Sequence, residues 1–125
     1  MKYLVDSSAW IEYFKGSHEY SFLDDLISTN VICTNDIILS ELLPSIVFRK
    51  EHKLAALLSA VKNYSLTIQW QEIRDIQLLS LKNGHNNIGI SDIIIAQNCM
   101  QNELRIIGHD KHFSTMATYI PLEVH

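Results

Sequence analysis

Short apolar runs of strand length alternate along this chain with longer stretches whose apolar residues recur at helical spacing. That alternation restricts the fold more than any other feature. Lys2–Asp6, Val31–Cys33, Tyr64–Ile68 and Arg105–Gly108 read as strands, and Tyr119–Leu122 as a last one whose Pro121 marks a sheet edge. Between them lie helical segments over Ser8–Lys15, Tyr20–Ser28, Asn35–Phe48, Glu51–Lys62, Gln71–Leu81 and Ser91–Glu103. Ser8 and Asn35 are the expected N-caps and Gly16 the expected C′ residue. Pro44 should kink or break its helix, because it removes a backbone donor. Lys82–Asn87 is a polar loop around Gly84. Strands alternating with helices predict an α/β sandwich with a mostly parallel sheet. In such sheets ligands gather at the carboxyl ends of the strands.

Length and composition narrow the class. A chain of 125 residues, 47% hydrophobic, is expected to form one domain over residues 1–125 and is too apolar for intrinsic disorder. Cys33 and Cys99 stand singly in apolar stretches, without zinc spacing or a disulfide framework, which fits a reducing compartment. Asp6 interrupts the only candidate signal-peptide core. No apolar run approaches the roughly 18 residues of a membrane span. A soluble, cytoplasmic protein without membrane contact is therefore expected. The net charge of −4 argues against a passive nucleic-acid binder, but not against a nucleic-acid enzyme that holds cations in an acidic pocket.

Four acids occupy apolar surroundings. Asp6 ends the first strand after Leu4-Val5. Glu41 shares a helical face with Ile38 and Leu42, which points its carboxylate toward the packed side. Asp92 lies in Ile90-Ser91-Asp92-Ile93-Ile94-Ile95-Ala96, and Asp110 follows the strand Arg105–Gly108. Taken singly, each has an ordinary explanation: a turn or cap for Asp6, shared N-capping with Ser91 for Asp92, a half-exposed helical position for Glu41, a loop acid for Asp110. Together they lie at element ends or faces that an α/β sheet brings to one edge. Buried carboxylates need partners, and the neighbouring segments offer few bases. Oxygen-only clusters suit hard cations such as Mg2+ or Mn2+. Two such ions can clamp the attacking and leaving oxygens of a phosphodiester displacement. Setting these four acids aside leaves 14 − 4 = 10 acids against 10 bases, so two divalent ions would offset the whole formal charge.

The motifs Val5-Asp6-Ser7-Ser8-Ala9-Trp10-Ile11, Leu39-Ser40-Glu41-Leu42-Leu43, Ile90-Ser91-Asp92-Ile93-Ile94-Ile95-Ala96 and Leu104-Arg105-Ile106-Ile107-Gly108-His109-Asp110-Lys111-His112-Phe113 stand in that order. In that order the chain resembles the PIN-domain ribonucleases, and among them the VapC-type toxins of toxin–antitoxin pairs, over essentially its whole length. The resemblance implies a three-layer sandwich and a Mg2+- or Mn2+-dependent endoribonuclease. Asp6, Glu41, Asp92 and Asp110 would be its catalytic and metal-ligating residues, and a metal-activated water would cut RNA. It also implies a homodimer, and a small antitoxin that enters the acidic pocket with a basic side chain. Two positions depart from the family's pattern. Gly108 stands where a Thr is frequent, and His112 where an acid often precedes the Phe.

Other residues admit two readings. Ser7 either holds a ligand oxygen or scissile phosphate, or serves only helix entry. Lys111 or His112 contacts RNA phosphate, or belongs to a polar turn. Arg49-Lys50-Glu51-His52-Lys53 is a solvated helix end or an RNA backbone contact. Trp10 is core, or an exposed anchor for a partner. There is no His-Glu-x-x-His and no Gly-rich phosphate loop. A phosphoacceptor signalling domain would want paired acids where Leu4-Val5 stands. A PIN nuclease without a toxin role, or a non-catalytic PIN-like binding module, are the remaining alternatives.

Overall fold

Five short parallel strands form one sheet in the order β3-β2-β1-β4-β5 in a computed structural model that describes all residues, Met1–His125. They are β1 (Tyr3–Val5), β2 (Ile32–Thr34), β3 (Lys62–Asn63), β4 (Arg105–Ile107) and β5 (Glu123–Val124). The helices are α1 (Ser7–Phe14), α2 (Leu23–Ser28), α3 (Asp36–Phe48), α4 (His52–Ala60), α5 (Trp70–Lys82), α6 (Ile90–Gln101) and α7 (His112–Met116), with a 3-10 turn at His18–Tyr20. No helix is long and apolar enough to cross a membrane.

The strand order decides where a ligand can sit. From β1 the chain steps outward to β2 and β3, then returns across β1 to β4 and β5. Right-handed crossovers running in opposite directions place α1–α4 on one face of the sheet and α5–α7 on the other. The packing agrees: α1 and α4 lie against α3, and α5 and α7 against α6. The order reverses between β1 and β4, which pair in register from Tyr3↔Arg105 to Val5↔Ile107. A crevice opens at the carboxyl ends of strands that diverge this way. Asp6 leaves β1, and the Gly108–Asp110 turn leaves β4, at that edge.

The core is apolar on both faces. Leu4, Val5, Ile106 and Ile107 are buried in the central strands, and α6 is buried without interruption from Ile93 to Cys99. Trp10 is fully buried, so it belongs to the core and is no partner anchor.

Several elements differ from their sequence expectation, each for a visible reason. Asp6, not Ser8, caps α1: its carboxylate accepts from the Ser8 N–H at the second helical position. The 3-10 turn divides the expected helix over Tyr20–Ser28, so only Leu23–Ser28 is α-helical. Pro44 lies inside α3 and the helix continues through it to Phe48. Pro44 and Ser40, whose carbonyl it cannot satisfy, are both exposed, so water can take the missing donor's place. Tyr64–Ile68 is not a strand; pairing ends at Asn63. The backbone beyond it is held by amide side chains of α6. Asn98 Nδ2 donates to the Ser65 carbonyl (3.2 Å), Gln101 Nε2 to that of Thr67 (2.8 Å) and Gln97 Nε2 to that of Gln69 (3.2 Å). Tyr119–Leu122 is not the last strand either. Tyr119 and Ile120 donate back to the Met116 carbonyl as a continuation of α7, and pairing with β4 begins at Glu123.

Candidate active site

Asp6 is the innermost of the acids, 5% exposed at the end of β1. Its Oδ2 accepts from Ser8 Oγ at 2.8 Å and from the Ser8 N–H at 3.4 Å. Burial pushes the Asp6 carboxyl above the ordinary aspartate range, and the negative charge of Asp92 adds to the rise. The bonds from Ser8 and from the Ser7 N–H pull the other way without reversing it.

Ser8 does more than enter a helix. Its Oγ also accepts from the N–H groups of His109 (3.0 Å) and Asp110 (3.3 Å), joining the first acid to the turn after β4. Capping by Asp6 accounts for its bonds to the residue two positions later, whereas the bonds from Ser8 to the turn join residues 101 and 102 positions apart and have no local signal. Gly108, the first residue of that turn, packs against Phe113 and Asp6. A Cβ there would lie 3.2 Å from Phe113 Cδ2 and 3.7 Å from Asp6 Cβ. The buried Phe113 ring therefore occupies space that a larger residue at 108 would need.

Glu41 departs from its expected orientation. As a residue it is exposed on α3, not packed against the core with Ile38 and Leu42. Its carboxylate nonetheless reaches the acidic crevice, where Ser7 Oγ donates to its Oε1 at 3.3 Å. Burial pushes its pKa up, followed by the charges of Asp6 and Asp92, while the Ser7 bond lowers it. Ser7, the first residue of α1, thus contacts the Glu41 carboxylate across to α3.

Asp92, in the first turn of α6, and Asp110 meet at His112, the first residue of α7. His112 Nδ1 lies 2.7 Å from Asp92 Oδ2 and 3.3 Å from Asp110 Oδ1. The His112 N–H donates to the same Asp110 Oδ1 at 2.8 Å. An ionised carboxylate only accepts, so the Nδ1 facing Asp92 carries a proton in this arrangement. One donor atom each from Asp92, Asp110 and His112 lie within 4.8 Å of one another. The sequence left His112 between an RNA phosphate contact and a polar turn; the Asp92 contact, between residues 20 positions apart, carries no local signal. Lys111 is exposed beside this group and makes no ion pair.

Asp92 therefore belongs to two sets, an electrostatic one with Asp6 and Glu41 and a contact set with Asp110 and His112. No lysine or arginine forms a salt bridge with any of the four acids. A buried carboxylate, Asp6, and two more accessible ones, Glu41 and Asp92, that act on one another without a strong base suit a divalent cation with oxygen ligands. Beside them a groove of about 290 Å3 runs between α1, α3 and α4 from Glu41 past Ile11, Phe14, Ile46 and Leu54.

The raised pKa values set a pH dependence for the metal-free protein. A folded-state pKa above the unfolded one means that the native state binds the proton more tightly. The associated stability is fully present below about pH 4 and is lost as pH rises through the folded value. Asp6→Asn keeps a good cap and removes the Asp6 share of this dependence, leaving that of Glu41. In EDTA the variant is expected to gain on wild type as pH rises from 4 to 7, because only wild type has the raised Asp6 pKa. Denaturant midpoints at the two pH values check the sign.

A family model described as "PIN domain" matches residues 3–119. Comparison with curated protein sequences returns no match. Among solved structures, VapBC2 from Rickettsia felis, bound to a DNA fragment from its promoter, aligns at TM-score 0.76 and 19% identity, covering 100% of this chain and 98% of the other. DNA-bound VapBC from Salmonella typhimurium aligns at TM-score 0.73 and 16% identity, covering 100% and 97%. VapBC-1 from nontypeable Haemophilus influenzae aligns at TM-score 0.70 and 18% identity, again covering 100% and 97%. At these identities the likeness is one of fold.

Proposed function

The chain belongs to the PIN-domain family, and from that premise we propose that it is a divalent-metal-dependent endoribonuclease acting as the toxin of a toxin–antitoxin pair. The observation that carries the reading is the burial of Asp6 at the switch point of the sheet, under the charges of Asp92 and with no basic side chain to pair it. Asp6, Glu41, Asp92 and Asp110 would hold Mg2+, for which Mn2+ can substitute. When bound, the ion would supply Lewis acidity at the phosphate and would lower the pKa of a water for attack.

The chain's own residues set the geometry. Ser8 fixes Asp6 and the Asp110 backbone, Ser7 fixes Glu41, and His112 fixes Asp92. These bonds hold the acids in place before substrate arrives, which is where electrostatic catalysis draws its strength. Lys111, exposed next to the site, supplies a cation for the RNA backbone.

The structural relatives that are VapBC complexes support a protein partner in this family. For this chain the partner would be a small antitoxin, seated in the groove that ends at Glu41, whose lining is apolar at Ile11, Phe14, Ile46 and Leu54 and charged at Lys15, Arg49 and Glu51, and placing an Arg or Lys among the acids. A homodimer in the cytoplasm completes the reading.

Metal-free protein should leave RNA intact, cut it on addition of Mg2+ or Mn2+, and stop with EDTA. Undiminished cutting in EDTA would overturn the metal mechanism. Expression should arrest growth, and arrest should be relieved by Asp92→Asn. Harmless expression of a protein that cuts RNA in vitro would remove the toxin role and leave the nuclease.

A further inference from the structure

We propose that His112 is itself a ligand of the metal, through Nδ1, whose proton passes to solvent as the ion takes the place of the hydrogen bond to Asp92, and that it shifts the site's preference from Mg2+ toward Mn2+. The inference rests on the nuclease reading and adds a residue and a selectivity to it.

The first support is spacing. Ligands about 2.1 Å from an octahedral ion lie roughly 3.0 Å from their neighbours and about 4.2 Å from the opposite corner. The separations of His112 Nδ1 from Asp92 and Asp110, 2.7 and 3.3 Å, bracket the neighbour distance. All three donors fall within 4.8 Å of one another. A hydrogen bond alone explains the Asp92 contact. It does not explain why the same ring nitrogen also faces a second carboxylate.

The second support is that the ring is anchored and reachable. The His112 N–H is bound to Asp110, and the next residue, Phe113, is buried against Gly108. The backbone that carries the imidazole is therefore fixed, while 28% of the side chain remains open to solvent. His109, the other histidine of this turn, faces away: its Nδ1 lies 3.1 Å from the Tyr20 hydroxyl.

The chemistry follows from the donor type. An all-oxygen site suits Mg2+, whereas an imidazole nitrogen favours first-row transition ions. His112 is the only side-chain nitrogen at salt-bridge distance from any of the four acids; His109 pairs instead with Glu12, outside the set, at 4.0 Å. This one residue would therefore set the preference.

The test uses the metal alone. Mn2+ is added to metal-free protein and the 14N coupling to the ion is read by pulsed electron paramagnetic resonance; Mn2+ and Mg2+ affinities come from calorimetric titration. Wild type is expected to show imidazole 14N coupling, His109→Gln to retain it and His112→Asp to lose it. In His112→Asp the ratio of Mn2+ to Mg2+ affinity should fall about tenfold or more. Bound Mn2+ without 14N coupling in wild type, or coupling that vanishes in His109→Gln, overturns the inference. His112 would then only position Asp92, and the nuclease reading would stand. The wild-type and His109→Gln spectra decide the matter even where His112→Asp does not fold. Failure of wild type to bind Mn2+ at all overturns both readings.

Discussion

Asp92→Asn should lower metal-dependent RNA cleavage by about 10²- to 10³-fold, the scale lost when one preorganised electrostatic contact to the transition state is removed. Asp92 is the acid common to both halves of the site: its charge acts on Asp6 and Glu41, and its carboxylate meets His112 beside Asp110. Asn keeps the shape and still accepts from His112, so the fold should survive. Asp110→Asn should cost less, because the Asp110 side chain is 41% exposed and also serves a backbone bond in its own turn. Rates at saturating Mn2+, with circular dichroism as a check on folding, give the order. Equal losses at both positions would contradict the placement of Asp92 at the centre.

Much of this arrangement was legible in the sequence because it depends on local rules. Alternating strands and helices led to a parallel α/β sheet, and the acids at element ends led to one edge of it. The Asn35 cap and the Gly16 turn also follow from local chemistry; Asn35 accepts from the Ile38 N–H at 3.1 Å, and Gly16 has φ +78°. What escaped depends on partners distant in sequence. Tyr64–Ile68 has strand-like composition, but its carbonyls go to Asn98 and Gln101 of α6, which no local pattern reveals. Helix α7 was hidden because it is only His112–Met116 long, too short for a periodic signal.

The same distinction applies to the site. All four acids were marked by their surroundings, but their individual environments were not. Periodicity turned Glu41 inward with Ile38 and Leu42, whereas the structure leaves it exposed and bound to Ser7. The structure gives Asp92 a partner in His112 and leaves Asp6 as the buried carboxylate without a base. The substitution that separates a functional acid cluster from a structural one is therefore Asp6→Asn.

That substitution should reverse the stability order according to metal. Without metal, wild type carries a buried charge facing Asp92, and Asn removes it while keeping the cap and the Ser8 bond. With Mn2+ at a hundredfold excess over its dissociation constant, wild type gains about 2.7 kcal/mol of binding free energy, and the variant gains less because it binds more weakly. Four melting curves decide, wild type and Asp6→Asn, each at pH 7 in EDTA and in Mn2+. The account predicts that Asp6→Asn melts at or above wild type in EDTA and clearly below it in Mn2+. If Asp6→Asn loses several kcal/mol in EDTA and Mn2+ moves neither curve, Asp6 is a structural cap, and these carboxylates are not a metal site.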